Sequence, residues 1–140
     1  MGLVVLAAVL ATTALAPAQA APKSVRVMQR NFEFMPDSVE VTVGTKVVWT
    51  YDERPTDLGC EFPAFQLVPG AGCPGHSVTS HALRKDGKHL FDSGVHRADG
   101  FPFSYTFTKP GTYRYYCIPH GNGASPLTSM DAVVIVKKKK

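Results

Sequence analysis

The sequence has little that points to a helical, membrane-spanning or nucleic-acid-binding protein. Almost no segment repeats its apolar residues at the 3.6-residue period of an amphipathic helix. The one extended apolar run begins at Met1 and is about 15 residues long, short of the roughly 20 that a spanning helix needs. The lysines at the C-terminal end are not interleaved with aromatic residues, so a nucleic-acid site is not indicated there.

The net charge of +4 comes from the C-terminal end of the chain. Residues 137–140 are four lysines, and the remaining 11 basic residues balance the 11 acidic ones. We interpret residues 137–140 as a solvated basic tail, which could favour anionic surfaces without binding nucleic acid.

The N-terminal segment resembles an export signal, although it lacks a Lys or Arg before its apolar run. The run leads into Ala16-Pro-Ala-Gln-Ala20, a small-x-small pattern, and we expect cleavage after Ala20. A membrane anchor is the alternative, which the short run disfavours. We therefore predict a signal peptide over residues 1–20, an exported mature chain in a periplasmic or extracellular compartment, and no stable membrane insertion. Residues 21–136 then have the length of a single domain.

Cysteine is scarce, and the count of three is odd. In an exported chain an odd count leaves one thiol for an intermolecular bond or for another task. We predict a disulfide between Cys60 and Cys73, which flank a stretch rich in Pro and Gly that reads as a long surface loop. Its closure would add about 3 kcal/mol of stability. Counting leaves the alternative pairings open, and these would involve Cys117.

The apolar residues alternate with polar ones between turn formers, which is typical of half-buried strands. Val39, Val41 and Val43 alternate before Gly44, and residues 47–49 continue after it, so we predict a hairpin there. Further along, the strand after Pro110-Gly111 places Tyr113, Tyr115 and Cys117 on one face, which predicts an inward Cys117. About seven or eight such strands predict an all-β fold, a Greek-key β-sandwich.

The segment Pro110-Gly-Thr-Tyr-Arg-Tyr-Tyr-Cys117-Ile-Pro-His120 carries a thiol and an imidazole three positions apart. Copper that cycles between Cu(I) and Cu(II) needs a soft thiolate, imidazoles and often a weak thioether. His76 begins a strand-like segment directly after the long loop, so it would lie at one end of a sandwich, where loops converge. We therefore predict a copper ion bound by His76, Cys117 and His120.

At these residues the sequence resembles the cupredoxin family, the small type 1 blue copper proteins, especially the plastocyanin and pseudoazurin branch. The resemblance extends from about Val25 to Val136 and depends on four blocks, residues 34–49, 76–80, 91–94 and 103–120. It implies copper ligation by His76, Cys117 and His120, with Met130 as the fourth ligand. Ten positions separate Met130 from His120, more than in many relatives. A core methionine that fills a gap is the alternative for Met130.

The same resemblance implies that the protein carries single electrons between transient redox partners, as a monomer. The edge of His120 would emerge through an apolar patch with Pro119 and Gly121, and Tyr116 would offer a second electron route. Ser77 stands where relatives often have asparagine, and its hydroxyl could tie the ligand loops together. His81, His89 and His96 lie outside the matching positions and are interpreted as surface residues.

Two other functions compete with electron transfer. The same ligands would serve a copper carrier or buffer in the exported compartment. An enzyme with Cys117 as nucleophile and His120 as base is disfavoured, because the two share one turn and the sequence indicates no third orienting group.

Overall fold

The structure is a computed structural model that describes residues 23–54, 57, 75–121 and 129–139. Within these residues the chain forms two four-stranded β-sheets and one short 3₁₀ helix, Ala98–Gly100. The strands are β1 (Ser24–Arg30), β2 (Glu33–Met35), β3 (Ser38–Thr42), β4 (Lys46–Tyr51), β5 (Thr79–Ser80), β6 (Phe103–Thr106), β7 (Gly111–Tyr116) and β8 (Asp131–Lys137). The predicted all-β Greek-key sandwich is confirmed.

The strand order mixes neighbours from distant parts of the chain. The first sheet runs β2-β1-β4-β6, with β1 and β4 parallel and the outer pairs antiparallel. The second runs β3-β8-β7-β5, with β3 and β8 parallel and the remaining pairs antiparallel. The fold therefore depends on pairing between strands that are distant in the sequence, such as β3 and β8.

The predicted hairpin between residues 39–43 and 47–49 is wrong. β3 pairs with β8 and β4 pairs with β1 and β6, so the two strands lie in different sheets. Gly44, at φ +90°, lies in the turn that carries the chain from one sheet to the other. Val39, Val41, Val47 and Trp49 are all buried because both strands face the same core.

The core between the sheets is built around aromatic rings. Trp49 is fully buried and contacts Phe91, Phe103 and Tyr115, with ring centroids 5.4–5.8 Å apart. Each such buried side chain contributes roughly 1.5–3 kcal/mol by leaving water. Cys117 is fully buried beside this cluster, as the alternation in its strand predicted.

One end of the sandwich gathers chain segments that are far apart in sequence. Tyr116, the last residue of β7, pairs with Thr79 of β5 on one side and with Asp131 of β8 on the other. Cys117 follows Tyr116 in the chain, and Met130 precedes Asp131. His76 lies three residues before Thr79. The sheet register thus brings the predicted ligands to the same end.

Several predictions concern residues outside the described ranges. The signal peptide over residues 1–20 and the pair Cys60 and Cys73 lie there, as does Lys140. Lys137, the first residue assigned to the basic tail, is the last residue of β8 and lies 3.5 Å from the carboxylate of Glu40. No helix within the described ranges is long and apolar enough to cross a membrane.

Candidate metal centre

Three buried donor side chains meet at the end of the sandwich. The Nδ1 atoms of His76 and His120 lie 3.2 Å apart, and the Sγ atom of Cys117 lies 3.7 Å from the first and 3.4 Å from the second. Among the residues that the structure describes, they are the one group of at least three His, Cys, Asp or Glu side chains arranged to hold a metal ion. Cys117 is a free thiol.

These distances fit a set of three donors that would hold one metal ion. Metal–nitrogen and metal–sulfur bonds of roughly 2.0–2.3 Å place the corners of a regular triangle about 3.5–4.0 Å apart. The observed separations of 3.2–3.7 Å are close to this spacing. Two imidazoles and one thiolate in a trigonal set are the donors that copper uses when it transfers electrons.

The turn after β7 positions Cys117 and His120 together. The carbonyl of Cys117 accepts hydrogen bonds from the N–H groups of His120 (3.2 Å) and Gly121 (2.7 Å), so the chain folds back after the thiol. A Cβ at Gly121 would lie 2.3 Å from the carbonyl oxygen of Met130, so no larger residue fits this close approach. The short spacing between thiol and imidazole is therefore enforced by backbone contacts.

Backbone contacts also fix His76, which comes from a different part of the chain. His76 and His96 exchange two backbone hydrogen bonds of 2.8 and 2.9 Å. The N–H of Ser77 donates to Cys117 Sγ at 3.3 Å, and the N–H of Ile118 donates to Ser77 Oγ at 2.8 Å. Ser77 thus ties the two ligand loops together, as its position in the sequence suggested.

Glu53 is a site residue that the sequence interpretation missed. His76 Nε2 and Glu53 Oε1 lie 2.8 Å apart, and neither side chain is exposed to solvent. The backbone N–H of Asn31 donates to the same carboxylate oxygen at 2.7 Å. Glu53 follows β4 in a stretch that reads as loop, and no local pattern in the sequence connects it with a histidine 23 positions later.

Phe32 covers the imidazoles from the turn between β1 and β2. Its ring centroid lies 4.7 Å from that of His120 and 6.3 Å from that of His76, edge-on in both cases. Asn31 and Phe32 both have positive φ, 53° and 63°, a backbone region that bulky side chains seldom adopt. This unusual turn brings an aromatic side chain against the centre.

A salt bridge fastens the segment after β4 to β1. Arg30 contacts both carboxylate oxygens of the buried Asp57, at 2.8 and 2.6 Å, and the N–H of Arg54 donates to Asp57 at 2.7 Å. The bonded guanidinium lowers the pKa of Asp57, and the pKa of Arg30 is raised in turn. Glu53 lies within this fastened segment.

The sequence matches the family model described as copper binding proteins, plastocyanin/azurin family, over residues 21–137. The chain belongs to this family. A search of curated proteins returned no significant match. The set of His76, Cys117 and His120 in this chain is consistent with one type 1 copper ion.

Solved cupredoxins share the fold at low sequence identity. A purple cupredoxin from Nitrosopumilus maritimus is 23% identical, with 80% of this chain and 98% of that chain aligned and a TM-score of 0.50. A reduced Cu(I) amicyanin mutant is 24% identical over 88% and 90% of the two chains, with a TM-score of 0.55. A copper-containing nitrite reductase from Thermus scotoductus is 21% identical, with a TM-score of 0.54; 91% of this chain aligns with only 25% of that one.

Met130 lies beside the candidate donor residues of this cupredoxin. Its side chain is fully buried, its carbonyl accepts a hydrogen bond from the N–H of Cys117 (3.0 Å), and its N–H donates to the carbonyl of His120 (3.1 Å). The backbone of Met130 is therefore joined to two of the three donor residues. Its thioether is a candidate for the weak fourth ligand.

Burial shifts the protonation of two donors in the metal-free protein. It raises the pKa of the Cys117 thiol to about 11, although hydrogen bonds from Ser77 oppose the shift. Burial, with His76 nearby, lowers the pKa of His120 to about 4. At neutral pH His120 is thus already deprotonated for ligation, whereas Cys117 must release a proton when a metal binds.

The surface around this centre differs in part from the prediction. His120 is only 7% exposed, beside a half-buried Pro119 and an Ile118 that is 42% exposed. Gly121 is buried beneath Met130 and does not contribute to the surface, so its predicted place in the docking patch is wrong.

Of the remaining predicted surface residues, His81 and His89 lie beside Tyr116 in the second sheet, whereas His96 pairs with His76. His81 and His96 are exposed, as predicted, while His89 is half-buried and bonded to the carbonyl of Ser80 at 2.6 Å. Tyr116 lies between the rings of His81 and His89, with centroids 4.6 and 6.4 Å away.

Proposed function

We propose that this cupredoxin is an exported mononuclear copper protein that shuttles single electrons between redox partners. Its type 1 site would use His76, Cys117 and His120, with Met130 as the axial ligand. The observation that carries the proposal is the meeting of two imidazoles and one free thiol within 3.7 Å, all buried, at one end of the sandwich. Copper bound there would supply a Cu(II)/Cu(I) couple.

Electron transfer is fast when the ligands barely move as the charge changes, and the restraints on these residues favour that behaviour. Cys117 and His120 share a hydrogen-bonded turn, and Ser77 bonds to the thiol on the other side. A carrier that must admit and release copper gains nothing from so closed a set of donors. The rigidity supports electron transfer over copper carriage or buffering.

The route for electrons is proposed to pass through the edge of His120, which is 7% exposed. The ring of Phe32 lies against His120, and the exposed Ile118 and half-buried Pro119 precede it in the chain, so apolar side chains adjoin this edge. A small patch of this kind suits brief encounters with redox proteins, since a carrier must dissociate quickly. We propose that the protein acts as a monomer, and Tyr116 remains a proposed second route.

Export is supported by the sequence features of residues 1–20, and an oxidising compartment would permit the predicted Cys60–Cys73 disulfide. A periplasmic or extracellular location follows. We propose no enzymatic activity for the single domain, because the nitrite reductase that shares its fold is about four times as long as the aligned region.

Voltammetry of the copper-loaded mature protein tests this function. We expect a reversible one-electron wave that persists over repeated cycles, together with electron exchange between oxidised and reduced protein on mixing. A copper carrier without an electron-transfer role would instead lose its metal on reduction or give an irreversible wave. That outcome would contradict the proposal and favour the alternative.

A further inference from the structure

The buried carboxylate of Glu53 touches the imidazole edge of His76 that faces away from the other donors. The two donor-facing Nδ1 atoms are 3.2 Å apart, whereas His76 Nε2 points the other way and meets Glu53 Oε1 at 2.8 Å. Neither side chain is exposed. Water therefore cannot replace the carboxylate as the partner of this nitrogen.

A carboxylate accepts hydrogen bonds, so His76 must carry its proton on Nε2 when the two are bonded. The lone pair of Nδ1 is then directed at Cys117 and His120, which is the state that ligation requires. The bond also restricts the rotation of the ring, because it holds Nε2 while Nδ1 faces His120 and Cys117. Such partners typically raise the basicity of the ligand as well.

Glu53 is itself held in place. The N–H of Asn31 donates to its Oε1, which links it to the strained turn that carries Phe32. The Arg30–Asp57 salt bridge fastens the segment that contains it to β1. One carboxylate oxygen thus connects the ring of a ligand to the turn that covers both imidazoles.

We propose that Glu53 is a positioning residue of the copper centre, which fixes the tautomer and orientation of His76 and lowers the reduction potential. The second effect follows from charge: a buried negative group favours Cu(II), which has one more positive charge than Cu(I). This inference depends on the proposed function, because it assumes copper at His76, Cys117 and His120.

The variant Glu53→Gln tests the charge with little change in shape, since the amide oxygen still accepts a hydrogen bond. We expect its Cu(II)/Cu(I) equilibrium to shift about tenfold toward Cu(I), a rise of about 59 mV in the potential measured by voltammetry. Glu53→Ala also removes the acceptor, and we expect its Cu(II) affinity, measured against a chelator, to fall about 10- to 100-fold.

Asp52→Asn is the matched control. It removes the same charge from the preceding residue, whose partly exposed carboxylate forms an ion pair with the exposed Arg26. Solvent screens that pair, so we expect a shift of about twofold or less. If both Glu53 variants matched Asp52→Asn in potential and affinity, the role of Glu53 would be refuted.

A measurement on the unmodified protein covers the case in which the Glu53 variants do not fold. In the Cu(I)-loaded wild type with ¹⁵N-labelled histidine, NMR should show His76 protonated at Nε2, with slow exchange of that proton. An unprotonated or rapidly exchanging Nε2 would refute the inference. If the wild type with Cu(II) showed no charge-transfer band, the proposed function would be contradicted instead. The two failures are therefore distinguishable.

Discussion

Each donor side chain of the copper centre is restrained by a contact that its neighbours supply. Ser77 donates its N–H to the sulfur of Cys117, Glu53 bonds to His76, and the ring of Phe32 lies against His120. None of these partners is itself a donor in the proposed site. The proposed ligands are therefore held in place by residues outside the donor set.

Met130 is the proposed ligand with the weakest bond, and Met130→Leu tests it. The swap conserves volume, so we expect a loss of less than about 1.5 kcal/mol in the free energy of unfolding. Loss of the thioether should nevertheless raise the reduction potential and alter the visible spectrum of the Cu(II) protein. Unchanged spectrum and potential would instead identify Met130 as a core residue without a ligand role.

The sequence allowed the local half of the site to be predicted, but not its supports. Cys117 and His120 share one turn, so their spacing reveals them, and Ser77 adjoins a predicted ligand. Glu53 follows the end of β4 and His76 precedes β5, so the two residues meet only in the folded sandwich. Phe32 reaches the site through a turn with positive φ, which a phenylalanine in the sequence does not predict.

The strands on either side of Gly44 show what alternation can and cannot predict. Buried valines at every second position correctly indicated two strands, β3 and β4. Alternation reports which face of a strand is buried, but not which sheet the strand joins, and here both strands face one core from opposite sides. The partner of β3 is β8, at the far end of the domain, which a local reading could not reach.

The turn at residues 117–121, directly after β7, depends on Gly121. In Gly121→Ala the new methyl group would meet the carbonyl of Met130 at 2.3 Å, so the backbone must move. We expect about 1–3 kcal/mol of lost stability in denaturant unfolding. Because the same backbone positions Cys117 and His120, we also expect a changed Cu(II) spectrum.

Gly87→Ala is the control for this prediction. Gly87 has a positive φ of 79° and open space around its Cα, so alanine there introduces backbone strain without a collision. We expect a loss of about 1–2 kcal/mol with the copper spectrum unchanged. Equal spectra for the two variants would show that the close approach of Gly121 does not shape the centre.

For the molecule as a whole, the sandwich brings the donor set together through contacts of the protein itself. His76 and Cys117 come from segments 41 residues apart and are joined by hydrogen bonds within the protein itself. Folding therefore buries two imidazoles and a thiol together. Burial of His120 should therefore make the stability of the metal-free protein depend on pH.

The metal-free protein should lose stability as the pH falls from about 6.5 to about 4. Burial lowers the folded pKa of His120 to about 4, below its value of 6.5 in the unfolded chain. Between these values the unfolded chain takes up a proton that the folded protein does not, so acid favours unfolding. Above pH 6.5 His120 is neutral in both states and makes no such contribution.

Denaturant unfolding of the metal-free wild type and of His120→Asn across this pH range measures the effect. Other titrating groups are shared by the two proteins, so the difference between their unfolding free energies isolates His120. The wild type should lose stability relative to the variant on acidification. A difference that stays constant from pH 6.5 to pH 4 would contradict a buried, neutral His120.

The proposed function requires that the thiolate of Cys117 and the imidazoles of His76 and His120 bind one copper ion. Its most direct test is the visible spectrum of the purified mature protein after one equivalent of Cu(II) is added, compared with Cys117→Ser. We predict an intense thiolate-to-copper charge-transfer band in the wild type and none in the variant. A wild type that binds copper without this band, or a variant that retains it, would contradict the claim.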